Sequence, residues 1–127
     1  MTGTTVITNR ARYILSDTTT GATERWSDAI LMVWLNEGGA LIANYRPDSL
    51  FTAPYTQAAW ADIAAIGNTV SIGDKFQGAL VDFICSRALA QDSQDERDLK
   101  RSVTYFQQFV AKAGLPANVV TMAGRKV

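Results

Sequence analysis

The strongest nucleophile available to this sequence is a single thiol, Cys85, set between Ile84 and Ser86. A cysteine attacks as its thiolate, which needs a neighbouring base or cation to form at neutral pH. The 127 residues contain no histidine, so a packed, inert thiol is the stronger reading of Cys85. One cysteine also excludes an internal disulfide and any multi-cysteine metal site. The carboxylates Asp92, Asp95, Glu96 and Asp98 cluster closely enough to suggest a cation site. They lack the glycine and the spaced ligands of a calcium loop, and capping and solvation of a helix start explain them better. Arg125 and Lys126 could touch phosphates or simply solvate the chain end; two charges do not decide between these. The residue types thus predict no catalytic, cofactor-binding or metal residue, and no enzyme.

Length and charge narrow the classes further. At 127 residues with 47% hydrophobic content, the chain can bury one core but not two. Twelve basic and twelve acidic side chains cancel, which removes the basic excess that marks most nucleic-acid binders. The longest apolar run, 29–35, is far too short to span a bilayer. Met1-Thr2-Gly3-Thr4-Thr5 has neither the charge nor the apolar stretch of a secretory signal, so synthesis in a cytoplasm without a membrane partner is expected.

Four helical segments would have to position whatever surface does the work. Thr4 or Thr5 is placed to cap a first helix carrying Val6, Ile7, Ala11, Ile14 and Leu15 and ending near Ser16 or Asp17. The run 16–23 reads as a loop. Ser27 is the natural cap of a second helix, with Asp28 in its first turn and Trp26 before the cap as a hydrophobic staple for Leu31. Its apolar stripe of Ile30, Leu31, Trp34, Leu35, Leu41, Ile42 and Tyr45 runs to Arg46-Pro47, where proline stops it. Gly38-Gly39 inside it costs roughly 2 kcal/mol relative to alanine, which implies either a kink or an unusually close neighbour.

Between Asp48 and Gly73 the pattern is weak: 58–66 fits a short helix and Thr69 to Ile72 a brief strand. Asp74 is read as the cap of a third helix, to Ala90, with Phe76, Leu80, Phe83, Ile84 and Leu89 on one face. After the break at 91–94, a fourth helix runs from Asp95 to Ala113 with Leu99, Val103, Phe106, Val110 and Ala113 facing inward, and stops at Gly114 before Pro116. The fold class expected is mainly α: a small four-helix bundle-like domain over 1–113, with a minor β segment or extended loop, and an extended C-terminal tail over 114–127.

Tyr105 and Phe109 form an i,i+4 pair offset from the Val103, Phe106, Val110 stripe. They read as inter-subunit contacts or as part of a wide core-facing stripe, and aromatics at helical spacing favour the core. Trp60 is either an interface anchor or the large side chain under which its own loop tucks. The tail, with Val119, Val120, Met122, Arg125 and Lys126, has no helical period and could reach about 40 Å when extended. It is read as an arm held by a partner, a neighbouring copy or its own domain.

Trp26-Ser27-Asp28, Trp34-Leu35-Asn36-Glu37-Gly38 and Arg46-Pro47-Asp48, followed by Ala79-Leu80-Val81-Asp82-Phe83, Arg87-Ala88-Leu89, Gln91-Asp92-Ser93-Gln94-Asp95 and Tyr105-Phe106-Gln107-Gln108-Phe109, resemble in order the small head-to-tail adaptor proteins of tailed bacteriophages. The resemblance spans roughly two thirds of the chain. It implies a non-catalytic structural protein of the virion neck, forming a homo-oligomeric ring, commonly of twelve copies. Such a ring docks on the portal protein, passes DNA only as cargo and seats a tail, nozzle or tail-terminator protein. It also implies that the C-terminal arm grips the portal, and that Tyr105, Phe109 and Trp60 are candidates for contacts between copies. Adaptors of this kind carry a longer extended region before the third helix than this chain does. The alternative is a small helical regulatory or DNA-binding protein of a phage or bacterium. That alternative needs a basic recognition helix, whereas the fourth helix starts acidic and is aromatic along its length.

Overall fold

The structure, a computed structural model, describes residues 1–17, 25–52, 56–57, 59–91 and 96–116. The five candidate residues of the C-terminal arm therefore lie outside the described residues, as do the carboxylates Asp92 and Asp95 and most of the polar run expected to form a loop after Ser16.

The first helix, α1, has an unexpected winding. Over Thr4–Ala11 it is a π-helix, and it closes with one α-turn over Arg12–Ile14. Ile7, Ala11 and Leu15 are all buried, so its core positions recur at steps of four, which a wider turn with i→i+5 bonding accommodates. Neither Thr4 nor Thr5 is the cap. Thr2 Oγ1 accepts the Thr5 N–H at 3.2 Å, and the N–H groups of Gly3 and Thr4 donate to the carbonyls of Asn68 and Ile66. Ile14 is partly exposed, against its expected place in the core.

Helix α2, Asp28–Tyr45, begins as expected: Ser27 Oγ accepts the Ile30 N–H at 3.2 Å. It runs unbroken through Gly38-Gly39, and both glycines lie where a neighbour approaches unusually closely. A β-carbon on Gly38 would lie 2.7 Å from Phe83, and one on Gly39 would fall inside the Trp60 ring. A 3₁₀ turn, Pro47–Leu50, leads to two short antiparallel strands, β1 Phe51–Thr52 and β2 Thr56–Gln57.

The described part of 58–66 is not helical, and Thr69 to Ile72 is not a strand beyond one bridge between Thr2 and Thr69. This segment is held by side chains instead. Asn36 pairs with the backbone of Ile63 in both directions, donating at 3.1 Å and accepting at 2.9 Å, and Ile63, Val70 and Ile72 are buried. Asp74 is also not a helix cap. It opens a 3₁₀ turn, Asp74–Phe76, and its carboxylate meets the Met1 ammonium.

Helix α3, Gln77–Gln91, is the centre of the fold, buried without interruption from Ala79 to Ser86. Phe76, Leu80, Phe83, Ile84 and Leu89 are buried as their spacing predicted. α1 and α2 pack against α3, and α4, Glu96–Ala113, makes its principal packing with it. The inward face of α4 is rotated from the expected stripe: Ser102, Phe109, Val110 and Ala113 are buried, while Leu99 and Val103 are 39% and 47% exposed. Phe109 packs against the Phe83 ring at 4.9 Å between centroids. α4 ends at Gly114, at φ +70°, a conformation that favours glycine. Leu115 is buried beyond it, so the core extends past the expected boundary at residue 113. The chain is thus a mainly α, small helical bundle.

Candidate functional site

Three rings form the inner layer. Phe83 lies 4.9 Å from Phe109 and 6.3 Å from Phe106 between ring centroids, and Phe106 lies 5.7 Å from Phe109, all tilted as aromatic quadrupoles prefer. On its other side Phe83 meets Gly38. This layer takes Phe109 off the list of surface contacts: it is fully buried within its own chain. Tyr105, partly buried, flanks the same core. Trp60 is partly buried too, with its ring on Gly39 and its Nε1–H donating to Asp62 at 2.7 Å. It thus packs its segment onto α2 and stays partly open to solvent.

Cys85 is buried beside these groups, and burial, reinforced by the charge of Asp82, pushes its thiol up to about 12. It is an inert thiol in the folded state. Among the described residues no three histidine, cysteine, aspartate or glutamate side chains are grouped to hold a metal ion.

The charged residues pair locally. Arg12 is buried, donating to Asp17 at 2.9 Å, to Asp28 at 2.6 Å and to the Trp26 carbonyl at 3.0 Å. Asp17 in turn accepts the N–H groups of Arg25 and Trp26, so one buried arginine ties Asp17 and Trp26 to the start of α2. Arg46 forms a bidentate pair with Asp48 at 2.9 and 2.8 Å and donates through Nη1 to the Ala113 carbonyl at 3.1 Å. The hydrogen bond and charge of Arg46 hold the Asp48 carboxyl below its ordinary value, and Asp48 raises Arg46. The Arg-Pro-Asp segment therefore caps the end of α4 from the end of α2. Glu37 meets Arg87 at 2.6 Å, and Lys112 meets the buried Asp82 at 2.7 Å. On the outer side of α4, Glu96, Arg97, Lys100, Arg101 and Thr104 line a shallow open depression of mixed sign.

Among the described residues, large apolar side chains are exposed at Tyr13 and Ile14 of α1, Ile30 and Val33 of α2, Phe51 of β1, and Leu99 and Val103 of α4; α2 is the helix that surrounds them with the least charge. Asp28 and Glu37 are the only charged residues in its 18, and both are engaged within the chain. Its outward side presents Ala29, Ile30 and Val33, all exposed, with Ala40 and Leu41 partly so and the neutral Asn44 near its end. Val33 is 61% exposed. A helix so nearly apolar all round normally lies inside a larger structure, yet no helix of the described residues is long and apolar enough to cross a membrane. The exposed Leu99 and Val103 of α4 form a second, smaller apolar surface. Sequence reasoning assigns Ile30, Leu99 and Val103 to the core. The readable signal was the near absence of charge around α2, which a search for one apolar stripe passes over. No protein-family model, curated protein or solved structure matches the chain.

Proposed function

We propose that this chain is a head-to-tail adaptor of a tailed bacteriophage: a structural, non-catalytic protein that forms a homo-oligomeric ring between the portal and the first tail component. The observation that carries the proposal is α2, largely apolar on its outward side as well as its inner one and open to solvent in a single copy. A part with such a face is stabilised by assembly. The ordered set of segments resembling adaptors adds the kind of assembly, with the virion neck as its place after synthesis in the host cytoplasm. In this reading the ring encircles DNA without reading its sequence, which suits a chain whose basic and acidic side chains cancel. The arm carrying Val119, Val120, Met122, Arg125 and Lys126 reaches the portal.

Electron microscopy of the protein mixed with the portal complex of its own virus tests this directly. An added ring of density on the portal is expected, and it would give the copy number. A bare portal at high protein concentration would refute the adaptor reading and leave a helical regulator, to be tested by duplex DNA binding.

A further inference from the structure

We infer that α1 is a two-register element: its π winding holds one surplus residue, and rewinding to an α-helix undocks its start from 66–68 and turns Val6 outward. The buried and exposed residues of α1 carry this inference. At roughly 4.4 residues per turn, or about 82° per residue, Val6, Ile7, Ala11 and Arg12 fall within about 130° of the helix surface, and Thr8, Asn9 and Arg10 fall outside it. That division is the one observed. Wound as an α-helix from the same start, at about 100° per residue, the four buried residues spread over about 240° and Arg10 lands between Val6 and Ile7. With Asn9 removed, an α-helix gathers Val6, Ile7, Ala11 and Arg12 within about 140° again. The chain is thus one residue too long for an α-helix that satisfies both ends.

Both ends are held by other segments. At the start, the Gly3 N–H donates to the Asn68 carbonyl at 3.1 Å and the Thr4 N–H to the Ile66 carbonyl at 2.7 Å. At the end, the buried Arg12 guanidinium donates to Asp17, Asp28 and the Trp26 carbonyl. Arg12 is the stronger tie, because its release strands a buried cation and the buried Asp17. The start is therefore the end that gives. With Arg12 seated and α1 wound as an α-helix back to Thr4, the inward face consists of Thr4, Ile7, Thr8, Ala11 and Leu15, and Arg10 stays outside. Gly3 and Val6 leave that face, and Thr8 takes the place of Val6. The docked register prevails because it buries a valine where the other buries a threonine. In the second register the Ile66 and Asn68 carbonyls are free to accept other donors, so α1 is a latch on that segment.

Gly3→Ala perturbs the docked register, because a β-carbon there would lie 2.5 Å from the Ile66 carbonyl oxygen and 2.8 Å from the Ile63 side chain. Val6→Cys, at a buried position, and Thr8→Cys, at an exposed one, are made separately, with and without Gly3→Ala, and checked by circular dichroism. Labelling by an aromatic disulfide reagent is located by mass spectrometry, with the buried Cys85 as the internal marker of global unfolding. Gly3→Ala should speed labelling at Val6→Cys and slow it at Thr8→Cys, each by about tenfold. Deleting Asn9 from the Val6→Cys chain should keep the fold and bring labelling there down to the Cys85 rate. Faster labelling at Val6→Cys with Thr8→Cys unchanged would mean fraying of the start and would overturn the inference, as would no change at Val6→Cys. If Gly3→Ala loses the fold, the Asn9 deletion decides: an unfolded chain, or labelling at Val6→Cys as fast as before, overturns it.

Discussion

Phe109 is the sharpest test of where the core ends and the surface begins. Its ring is fully buried, 4.9 Å from Phe83 and 5.7 Å from Phe106. Phe109→Ala removes the ring from a layer that Gly38 on α2 closes from the other side, so the gap has little freedom to collapse. Truncations of this kind cost about 3–5 kcal/mol, a large share of the roughly 5–15 kcal/mol that holds a domain together. With a urea dependence of about 2 kcal/mol per molar, the unfolding midpoint should fall by about 1.5–2.5 M. The assay is urea unfolding followed by far-ultraviolet circular dichroism, in dilute protein where contacts between copies do not contribute. Tyr105→Ala, at a partly buried position on the core margin, should lower the midpoint by less. A Phe109→Ala midpoint within about 0.3 M of wild type, with an unchanged slope, would refute the placement of the ring in the core and return Phe109 to the contacts between copies.

Gly39→Ala gains up to about 1 kcal/mol of helix propensity but drives a methyl group into Trp60, and overpacking costs about 1–3 kcal/mol. A lower melting temperature with altered tryptophan fluorescence is expected; a raised one would show that the Trp60 loop yields freely. Cys85, with its thiol near 12, should resist an aromatic disulfide reagent at pH 8 in native buffer and react once urea unfolds the chain; rapid native labelling would contradict its burial. Asp48 has a folded pKa held below its ordinary 3.8 by Arg46. Its stabilising contribution is therefore present above that value and lost as pH falls through the lower folded one. The melting-temperature gap between wild type and Asp48→Asn should close as pH drops below about 4, and a gap constant from pH 6 to pH 2 would remove the pair as its source. Arg12→Met leaves Asp17 buried without its cation and should cost about 3–5 kcal/mol, read by thermal unfolding; a neutral effect would mean that the Arg25 and Trp26 N–H groups alone satisfy the carboxylate.

Helix ends were legible because their signals are local. Ser27 as a cap, Arg46-Pro47 as a stop and Gly114 as a terminus are each decided within a few residues, and the structure places all three as their chemistry requires. The region 58–73 was not legible. Its order comes from one distant side chain, Asn36, pairing with Ile63, and from the start of α1 donating to the carbonyls of Ile66 and Asn68. Partners nearly thirty and over sixty residues away leave no periodicity behind. On α4 the expected stripe holds at Phe106, Val110 and Ala113 and departs at Leu99 and Val103 for a related reason. Leu99, Val103 and Phe106 follow helical spacing faithfully, but spacing defines a face and not how far a neighbouring helix covers it.

Several of the segments on which the proposed adaptor reading draws are joints of this fold. Asn36 pins a loop, Glu37 meets Arg87, Gly38 admits Phe83, and Arg46 with Asp48 caps α4. Residues fixed by such joints are constrained by packing and hydrogen bonding within the chain. The outward side of α2 has no such constraint. Ile30 and Val33 are 39% and 61% exposed and cap or brace nothing in the contacts described. Under the proposed assembly, substitutions on this face should separate folding from association: Val33→Asp should leave the stability within about 0.5 kcal/mol of wild type while abolishing the association of copies. Loss of the fold in Val33→Asp would show that the face is part of the core after all.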